Sequence, residues 1–169
     1  MNLDERYAVV TGASSGIGAA TARSLAREGC SVALVARREE RLDSLADEID
    51  GETLVVPTDV TDEDAVAAMA AEVCSVFDGV DLLVNNAGVA RGGPVAETEL
   101  AELQKSIRVN LEGVMSVTHA LLPSILDSEL GDLLTVSSLS ARYPQEGGST
   151  YTASKFGVNG FMRSLRKEM

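Results

Sequence analysis

Short apolar segments alternate with longer amphipathic segments along the chain. The short segments are rich in Val, Leu and Ala, and they predict β-strands at 7–10, 31–35, 53–56, 81–84 and 133–136. Four of the five are nearly continuous in apolar residues, which is typical of strands covered on both faces. The longer segments predict helices at 17–28, 39–49, 63–77, 97–126 and 152–169.

This alternation of strand and helix predicts the fold class. Successive βα units favour a parallel sheet with right-handed crossovers and helices on both faces. We therefore predict an α/β protein with a Rossmann-type doubly wound sheet in a three-layer arrangement. A chain of 169 residues suffices for one such domain and is short for two, so we predict a single domain over 1–169.

The charge balance limits the partners of this domain. The chain has 26 acidic and 14 basic residues, a net charge of −12, and such a surface repels nucleic acids and anionic membranes. The acidic excess fits either a solubility device or adaptation to high salt, and both interpretations stay open. We find no signal-peptide pattern and no apolar run near the roughly 18 residues of a membrane span, so we predict a cytoplasmic protein.

The cysteines and the single histidine indicate no metal site. Cys30 and Cys74 are far apart, without a CxxC pattern or a nearby His, so we predict reduced core thiols rather than a zinc site or a disulfide. His119 has no carboxylate or second His at a ligand-like spacing, and we interpret it as structural.

A glycine-rich turn follows the first predicted strand and opens a helix. Its sequence, TGASSGIG at 11–18, has the spacing GxxxGxG. Glycines allow a tight turn and close approach of a pyrophosphate, and a helix N-terminus offers free N–H groups. Taken alone, the string also fits a plain strand-to-helix turn. The predicted cofactor contacts are Gly12, Ser14, Ser15, Gly16, Ile17 and Gly18.

The end of the second predicted strand indicates which dinucleotide the site would take. An NAD site places an acid about 20 residues after the glycine turn, to bond the ribose 2′-hydroxyl. Here Ala36 is followed by Arg37 and Arg38. Guanidinium groups suit a 2′-phosphate, so we predict that NADP(H) is preferred over NAD(H). The alternative is that both arginines only begin a solvated helix face.

Tyr151 and Lys155 are the candidate proton-transfer pair. They are four residues apart at the opening of the last predicted helix and therefore share one face. A neighbouring ammonium and a helix N-terminus both stabilise a phenolate. Ser138 lies 13 residues before Tyr151, at the carboxyl end of the fifth strand, where its hydroxyl could hold a carbonyl oxygen. Taken singly, each motif could also be a chance spacing or a turn.

In combination, these motifs resemble the short-chain dehydrogenase/reductase family over essentially the whole chain. The matching segments are TGASSGIG at 11–18, Asp59-Val60, NNAG at 85–88, Asn110, Ser138 and YTASK at 151–155. The order and spacing of these segments are specific to that family.

The resemblance implies roles for the residues at these positions. Ser138 would orient the substrate oxygen, Tyr151 would transfer the proton, and Lys155 would bind the nicotinamide ribose and stabilise the phenolate. Asn110 would anchor a water that relays protons to Lys155. The implied adenine contacts are Asp59 and Val60, and Asn86, Ala87 and Gly88 would line the cofactor groove or brace the fourth strand.

Two features depart from the family pattern. Ser15 stands where many NADP-preferring members carry Lys or Arg. The sequence also stops at Met169, whereas the family continues into two further strands and a substrate loop. We therefore expect either a fragment or a shortened chain, with part of the substrate pocket missing.

The sequence leaves three functions to weigh. The first is an oxidoreductase that moves hydride between NADP(H) and a small carbonyl or alcohol substrate. The second is an epimerase or dehydratase on the same scaffold, and the third is a non-catalytic dinucleotide-binding or dimerisation module. The resemblance also implies a homodimer or homotetramer, in which helices 97–126 and 152–169 pack against their copies around a two-fold axis.

Overall fold

The computed structural model describes residues 3–90 and 92–169 and shows strands and helices in alternation. The elements are β1 (Tyr7–Thr11), α1 (Gly16–Arg27), β2 (Ser31–Ala36), α2 (Glu39–Glu48), β3 (Thr53–Pro57), α3 (Glu63–Phe77), β4 (Leu82–Asn85), α4 (Leu100–Ile107), a π-helical turn (Arg108–Glu112), α5 (Gly113–Asp127), β5 (Asp132–Thr135), a 3₁₀ turn (Leu139–Ala141) and α6 (Ser149–Leu165).

The strands form one parallel sheet in the order β3-β2-β1-β4-β5. The chain builds outward from β1 through β2 to β3, then crosses back and builds β4 and β5 on the other side of β1. The carboxyl ends of β1 and β4 therefore flank the crevice where doubly wound sheets bind ligands. The predicted Rossmann-type α/β fold is confirmed.

Apolar side chains fill both spaces between the sheet and its helices. On one face, Leu34 packs with Leu25 of α1 and Leu42 of α2. On the other face, Val9 packs with Met69 of α3. Burial on both faces is thus the rule for the central strands, as their continuous apolar sequence predicts.

The two outer strands, β3 and β5, are less buried than the central strands, and β5 is the least buried strand. Its residues are only partly buried, and Leu134 is 51% exposed. The strand pairs with β4 alone among the described residues, so the other side of β5 is the edge of the sheet. Edge position explains why an apolar sequence here does not produce a buried strand.

The predicted single helix over 97–126 is also wrong. The helix begins at Leu100, because Glu97 N–H and the Thr98 hydroxyl both donate to Pro94 O in a preceding turn. A π-helical turn at Arg108–Glu112 then separates α4 from α5. The apolar spacing passes through this turn with a nearly helical period, so the sequence pattern did not reveal it.

Several other predicted boundaries shift. The last helix begins at Ser149, three residues earlier than predicted, because Thr152 N–H already bonds to Gly148 O at 2.7 Å. It ends at Leu165 rather than at 169, while β4 and β5 each shift by one residue. The earlier start places Tyr151 inside the first turn of α6.

The two cysteines are free, as predicted, but only one is a core residue. Cys30 is 2% exposed and its Sγ donates to Leu3 O at 3.1 Å. Burial raises the pKa of the Cys30 thiol. Cys74 is only partly buried, because it lies at the margin of the cluster between the sheet and α3.

Candidate active site

The glycine turn after β1 combines tight packing with one open surface. A Cβ on Gly12 would lie 2.8 Å from Asn86 Nδ2, and one on Gly18 would lie 2.4 Å from Gly12 O. Gly16 has a φ of +56° and nothing within 4 Å of its Cβ position. Gly12 and Gly18 thus permit close packing, whereas the positive φ at Gly16 favours glycine at that position of the turn.

A hydrogen-bond network fastens this turn to the end of β4. Asn86 Nδ2 donates to Thr11 O at 2.9 Å, and Thr11 Oγ1 accepts from Asn86 N–H at 2.9 Å and from Ala87 N–H at 3.0 Å. Asn86 therefore braces the two strands whose carboxyl ends form the crevice. The sequence alone left open whether this residue lines the groove or braces a strand, and it does both.

Arg37 and Arg38 leave the end of β2 in different directions. Arg38 Nη2 donates to Ser14 Oγ at 2.9 Å and to Ser15 Oγ at 3.1 Å, which draws its guanidinium onto the glycine turn. Arg37 is 62% exposed and its Nη1 lies 3.8 Å from Asp59 Oδ2. Two guanidinium groups therefore flank the rim of the groove, one on each side.

The Asp59 carboxylate is held in place at that rim. Its Oδ1 accepts from Thr61 N–H at 3.0 Å and from Thr61 Oγ1 at 2.8 Å. Burial raises the pKa of Asp59, but the two hydrogen bonds from Thr61 and the charge of Arg37 together outweigh it, so the pKa lies below its ordinary value. The group is an anion throughout the neutral range.

These features line one groove over the carboxyl ends of β1, β2, β3 and β4. Its walls consist of Gly12, Ser14, Ser15, Ile17, Ala36, Arg37, Arg38, Thr58, Asp59, Val60, Asn86, Ala87, Gly88, Val89 and Val109. Most of the predicted cofactor contacts are thus brought together. Gly18 is not, because it packs against Gly12, and Gly16, Tyr151 and Lys155 also lie outside this lining.

Four residues of the groove were not among the predicted cofactor contacts: Ala36, which the sequence marked only by the missing acid, and Thr58, Val89 and Val109. Thr58 directly follows β3 and could have been found from that position, since strand ends meet at this edge. Val89 and Val109 belong to a loop and a π-helical turn, and no sequence signal marked either one.

Lys155 is a buried cation at the carboxyl end of β5. It is 6% exposed, and its Nζ donates to Val136 O at 2.8 Å. Burial lowers the pKa of the Lys155 ammonium. Nζ lies 6.0 Å from the centroid of the Tyr151 ring, one helical turn earlier on α6. The predicted pair therefore shares one face of α6.

Ser138 follows β5 and caps the short 3₁₀ turn. Its Oγ accepts from Ser140 N–H at 3.1 Å. A hydroxyl has one donor and two acceptor lone pairs, so this contact leaves the Ser138 O–H available to a substrate oxygen. Because Val136 precedes it by two residues, Ser138 lies next to the backbone that holds Lys155.

Asn110 is fully buried within the π-helical turn. Its Oδ1 accepts from Val89 N–H at 2.8 Å, and its Nδ2 donates to Val89 O at 2.9 Å and to Ser154 Oγ at 3.2 Å. The side-chain amide thus joins the loop after β4 to α6. Among the described residues, its side-chain hydrogen bonds go to Val89 and Ser154 and not to Lys155.

His119 lies outside the groove. His119 is exposed on α5, and no group of three or more His, Cys, Asp or Glu side chains suited to a metal occurs within 3–90 and 92–169. In the same part of the chain, no helix is long and apolar enough to cross a membrane.

The fold and this site together define a dinucleotide-binding α/β protein with a Ser, Tyr and Lys cluster beside its groove. Residues 6–169 match the family model of short chain dehydrogenases. The serine 3-dehydrogenase of Agrobacterium fabrum is 38% identical over 162 residues, which cover 95% of this chain and 65% of that enzyme.

Solved structures agree with the sequence match. A metagenomic short-chain oxidoreductase in complex with NADP superposes with a TM-score of 0.94 at 41% identity, covering 99% of this chain and 78% of that one. An alcohol dehydrogenase from Thermococcus sibiricus complexed with 5-hydroxy-NADP gives 0.93 at 33% identity, covering 96% and 71%. The chain belongs to the short-chain dehydrogenase family, and it is an oxidoreductase of the hydride-transfer class.

Proposed function

We propose that this chain uses NADP(H), in preference to NAD(H), to interconvert a carbonyl and an alcohol, with Tyr151 as the proton-transfer residue. The observation that carries the proposal is the buried Lys155 ammonium, one helical turn from Tyr151 and hydrogen-bonded two residues before Ser138. A cation buried without a carboxylate partner among the described residues is typical of a functional site.

The groove fits a dinucleotide. The N-terminus of α1 suits a pyrophosphate, because Ser14, Ser15 and Ile17 bring the start of this helix into the groove lining. Ser15 begins α1 without a side-chain cap, so the first N–H groups of the helix keep their capacity to donate. When bound, the cofactor would supply or accept the hydride at the substrate carbon.

The side chains around the substrate oxygen would handle the proton. Ser138 Oγ–H and the Tyr151 hydroxyl would both donate to the carbonyl oxygen, which polarises the carbon toward hydride. As hydride reaches the carbon, the Tyr151 proton passes to the oxygen and completes the alcohol. Lys155 would stabilise the resulting phenolate and bind the nicotinamide ribose, while Asn110 fixes the loop beside it.

The preference for NADP(H) rests on Arg38 and Arg37. Arg38, together with the Ser14 and Ser15 hydroxyls, forms a cluster of donors at the rim, and no acid stands at Ala36 to repel a 2′-phosphate. The Ser15 hydroxyl would thus donate a hydrogen bond to the 2′-phosphate at a position where many NADP-preferring members of the family carry Lys or Arg.

Measured affinities test this preference directly. We expect NADPH to bind more tightly than NADH, and we expect Arg37→Asp and Arg38→Ala to weaken NADPH binding by about 10- to 100-fold with little effect on NADH. Arg41→Asp, an exposed arginine of α2, controls for the change in net charge. Equal affinities of the unmodified chain for both cofactors would refute the preference.

The relatives support an alcohol or carbonyl substrate without selecting one, since they include a serine 3-dehydrogenase and an alcohol dehydrogenase. The test is to mix the chain with NADPH and a panel of ketones and to follow nicotinamide absorbance. Turnover supports the proposal. Cofactor binding without turnover would instead favour a binding module.

We also propose a homodimer or homotetramer that assembles through α4 and α5, which together form most of the predicted helix 97–126, and through α6. Met115 of α5 and Phe156 of α6 are 44% and 47% exposed, and Met115 lines an open groove together with Leu122 and Phe161. Apolar exposure of this kind marks an association surface. Light scattering is expected to give a dimer or tetramer, and a folded monomer at micromolar concentration and high salt would refute it.

A further inference from the structure

The face of α6 that carries Tyr151 and Lys155 continues toward the C-terminus of the helix. Asn159 lies four residues after Lys155, and Met162 lies three residues further, so the four side chains follow one stripe. Neither Asn159 nor Met162 belongs to the proposed catalytic cluster. Their contacts show what the rest of the stripe does.

The stripe packs against three consecutive residues at the end of β5. Thr135 Oγ1 donates to Met162 Sδ at 3.3 Å, and Ser137 Oγ donates to Asn159 Oδ1 at 2.7 Å. The intervening Val136 offers its backbone oxygen to Lys155. The side chains of residues 135 and 137 point the same way because alternate residues of an extended chain share a face.

We propose that Ser137 and Asn159 are positioning residues, whose hydrogen bond sets the register of α6 on the end of β5 and thereby holds Ser138 opposite Tyr151. The proposal rests on the proposed function, because it assigns the two residues to the proton-transfer geometry of that same site.

The location of this hydrogen bond explains how its loss would change the distance between Ser138 and Tyr151. Ser137 is covalently joined to Ser138, and Asn159 lies two turns below Tyr151 on the same helix face. A slide of α6 along β5 would therefore change the distance between the two groups that must both reach the substrate oxygen. A displacement of about 1 Å at such a site can cost about 100-fold in rate.

The first measurement is steady-state kinetics with NADPH and a reactive ketone. Ser137→Ala removes the donor and Asn159→Leu removes the acceptor, and each is expected to lower kcat by about 10- to 100-fold with the KM for NADPH unchanged. The double variant should be no slower than the worse single variant, because both changes break one contact. Ser137→Thr and Asn159→Asp keep the donor and the acceptor, and they should retain most of the activity.

Ser124→Ala is the matched control. The Ser124 hydroxyl accepts from Val80 N–H at 2.8 Å, so this variant also loses one partly buried serine contact, but near the amino end of β4. It should lose a similar amount of stability and keep kcat. If Asn159→Leu fails to fold, Asn159→Gln displaces the amide by one methylene and takes its place.

The second measurement needs no turnover. The chain has three lysines, Lys105, Lys155 and Lys167, so ¹³C-lysine labelling gives three ε-carbon signals to follow against pH. Because burial lowers the pKa of Lys155, looser packing of α6 on β5 should raise that pKa toward its ordinary value in Ser137→Ala and Asn159→Leu. Ser137→Thr and Ser124→Ala should leave it unchanged.

The two measurements separate the two proposals. If the unmodified chain turns over no ketone but the Lys155 titration moves as expected, the hydrogen bond still sets the packing of α6 on β5, and the proposed function falls together with the catalytic part of the positioning role. If folded Ser137→Ala and Asn159→Leu keep kcat within about twofold and keep the Lys155 titration, the positioning role is overturned. Strict additivity of the two substitutions in kcat would overturn it as well.

Discussion

A buried cation lies at each end of the strands, Arg6 at the amino ends and Lys155 at the carboxyl ends, and the two differ in their hydrogen-bond partners. At the amino edge, Arg6 is 2% exposed and donates to Asp81 O at 3.1 Å, to Leu130 O and to the Asp132 carboxylate at 3.0 Å. At the carboxyl edge, Lys155 is 6% exposed and has one hydrogen bond, to Val136 O, among the described residues.

The difference agrees with a structural role for Arg6 and with the functional role that we propose for Lys155. The Arg6 guanidinium is neutralised by a carboxylate and ties the start of β1 to the starts of β4 and β5, as expected of a structural ion pair. The Lys155 ammonium carries three N–H donors, and its single bond leaves donors for a ligand. The fold thus pairs one cation with a carboxylate, although Arg6 Nε stays buried without a hydrogen-bond partner among the described residues, and leaves donors of the other cation available.

The largest expected effect is on the activity of Lys155→Met. We expect kcat/KM to fall by about 10²- to 10⁴-fold, because the phenolate and the ribose both lose the ammonium, and the Kd for NADPH should rise. Kinetics and cofactor titration measure the two effects, with thermal unfolding as the check on folding. If Lys155→Met kept the kcat/KM of the unmodified protein, Lys155 would not be a functional cation and would not differ from Arg6 in role.

Arg6→Met is expected to have the opposite profile. We expect a loss of about 2 kcal/mol in the free energy of unfolding, because Leu130 O and Asp132 lose a buried donor, while kcat per folded molecule stays the same. Urea unfolding and kinetics measure the two quantities. Arg6→Lys serves as the control that retains the charge, and it should recover part of the lost stability.

The smallest effect concerns the pH dependence of stability. The pKa of Lys155 lies below its unfolded value of 10.5, so the unfolded chain binds more protons between the two values, and stability should rise with pH across that window. The rise ends near pH 10.5, where the unfolded lysine is also neutral. Lys155→Met should lack this component, so the unfolding free energy of the unmodified protein should rise relative to that of Lys155→Met as pH rises through this window. A constant difference would contradict a buried, desolvated ammonium.

The residues at the two ends of the strands differ in how well the sequence predicts their roles. Tyr151 and Lys155 could be found because their spacing is local and helical, and the glycine turn because it directly follows an apolar strand. Arg6 could not, since its carboxylate partner lies 126 positions away and a single charge before a strand has many ordinary interpretations.

The same limit applies within the site. The π-helical turn at Asn110 and the contact between Ser137 and Asn159 depend on how α6 packs on β5, and no periodicity in the chain encodes that packing. Likewise, the sequence places two candidate phosphate-binding arginines after β2. Only the fold shows that Arg38 lies on the glycine turn while Arg37 faces Asp59.

The measurement that tests the central claim most directly is turnover by Tyr151→Phe in the presence of NADPH and a ketone. Only the proton-transferring hydroxyl is removed, so we expect turnover to fall by at least about 10³-fold while the Kd for NADPH, followed by nicotinamide fluorescence, changes little. Full activity of Tyr151→Phe would contradict the account. Loss of NADPH binding together with turnover would show instead that Tyr151 is a structural residue of the pocket.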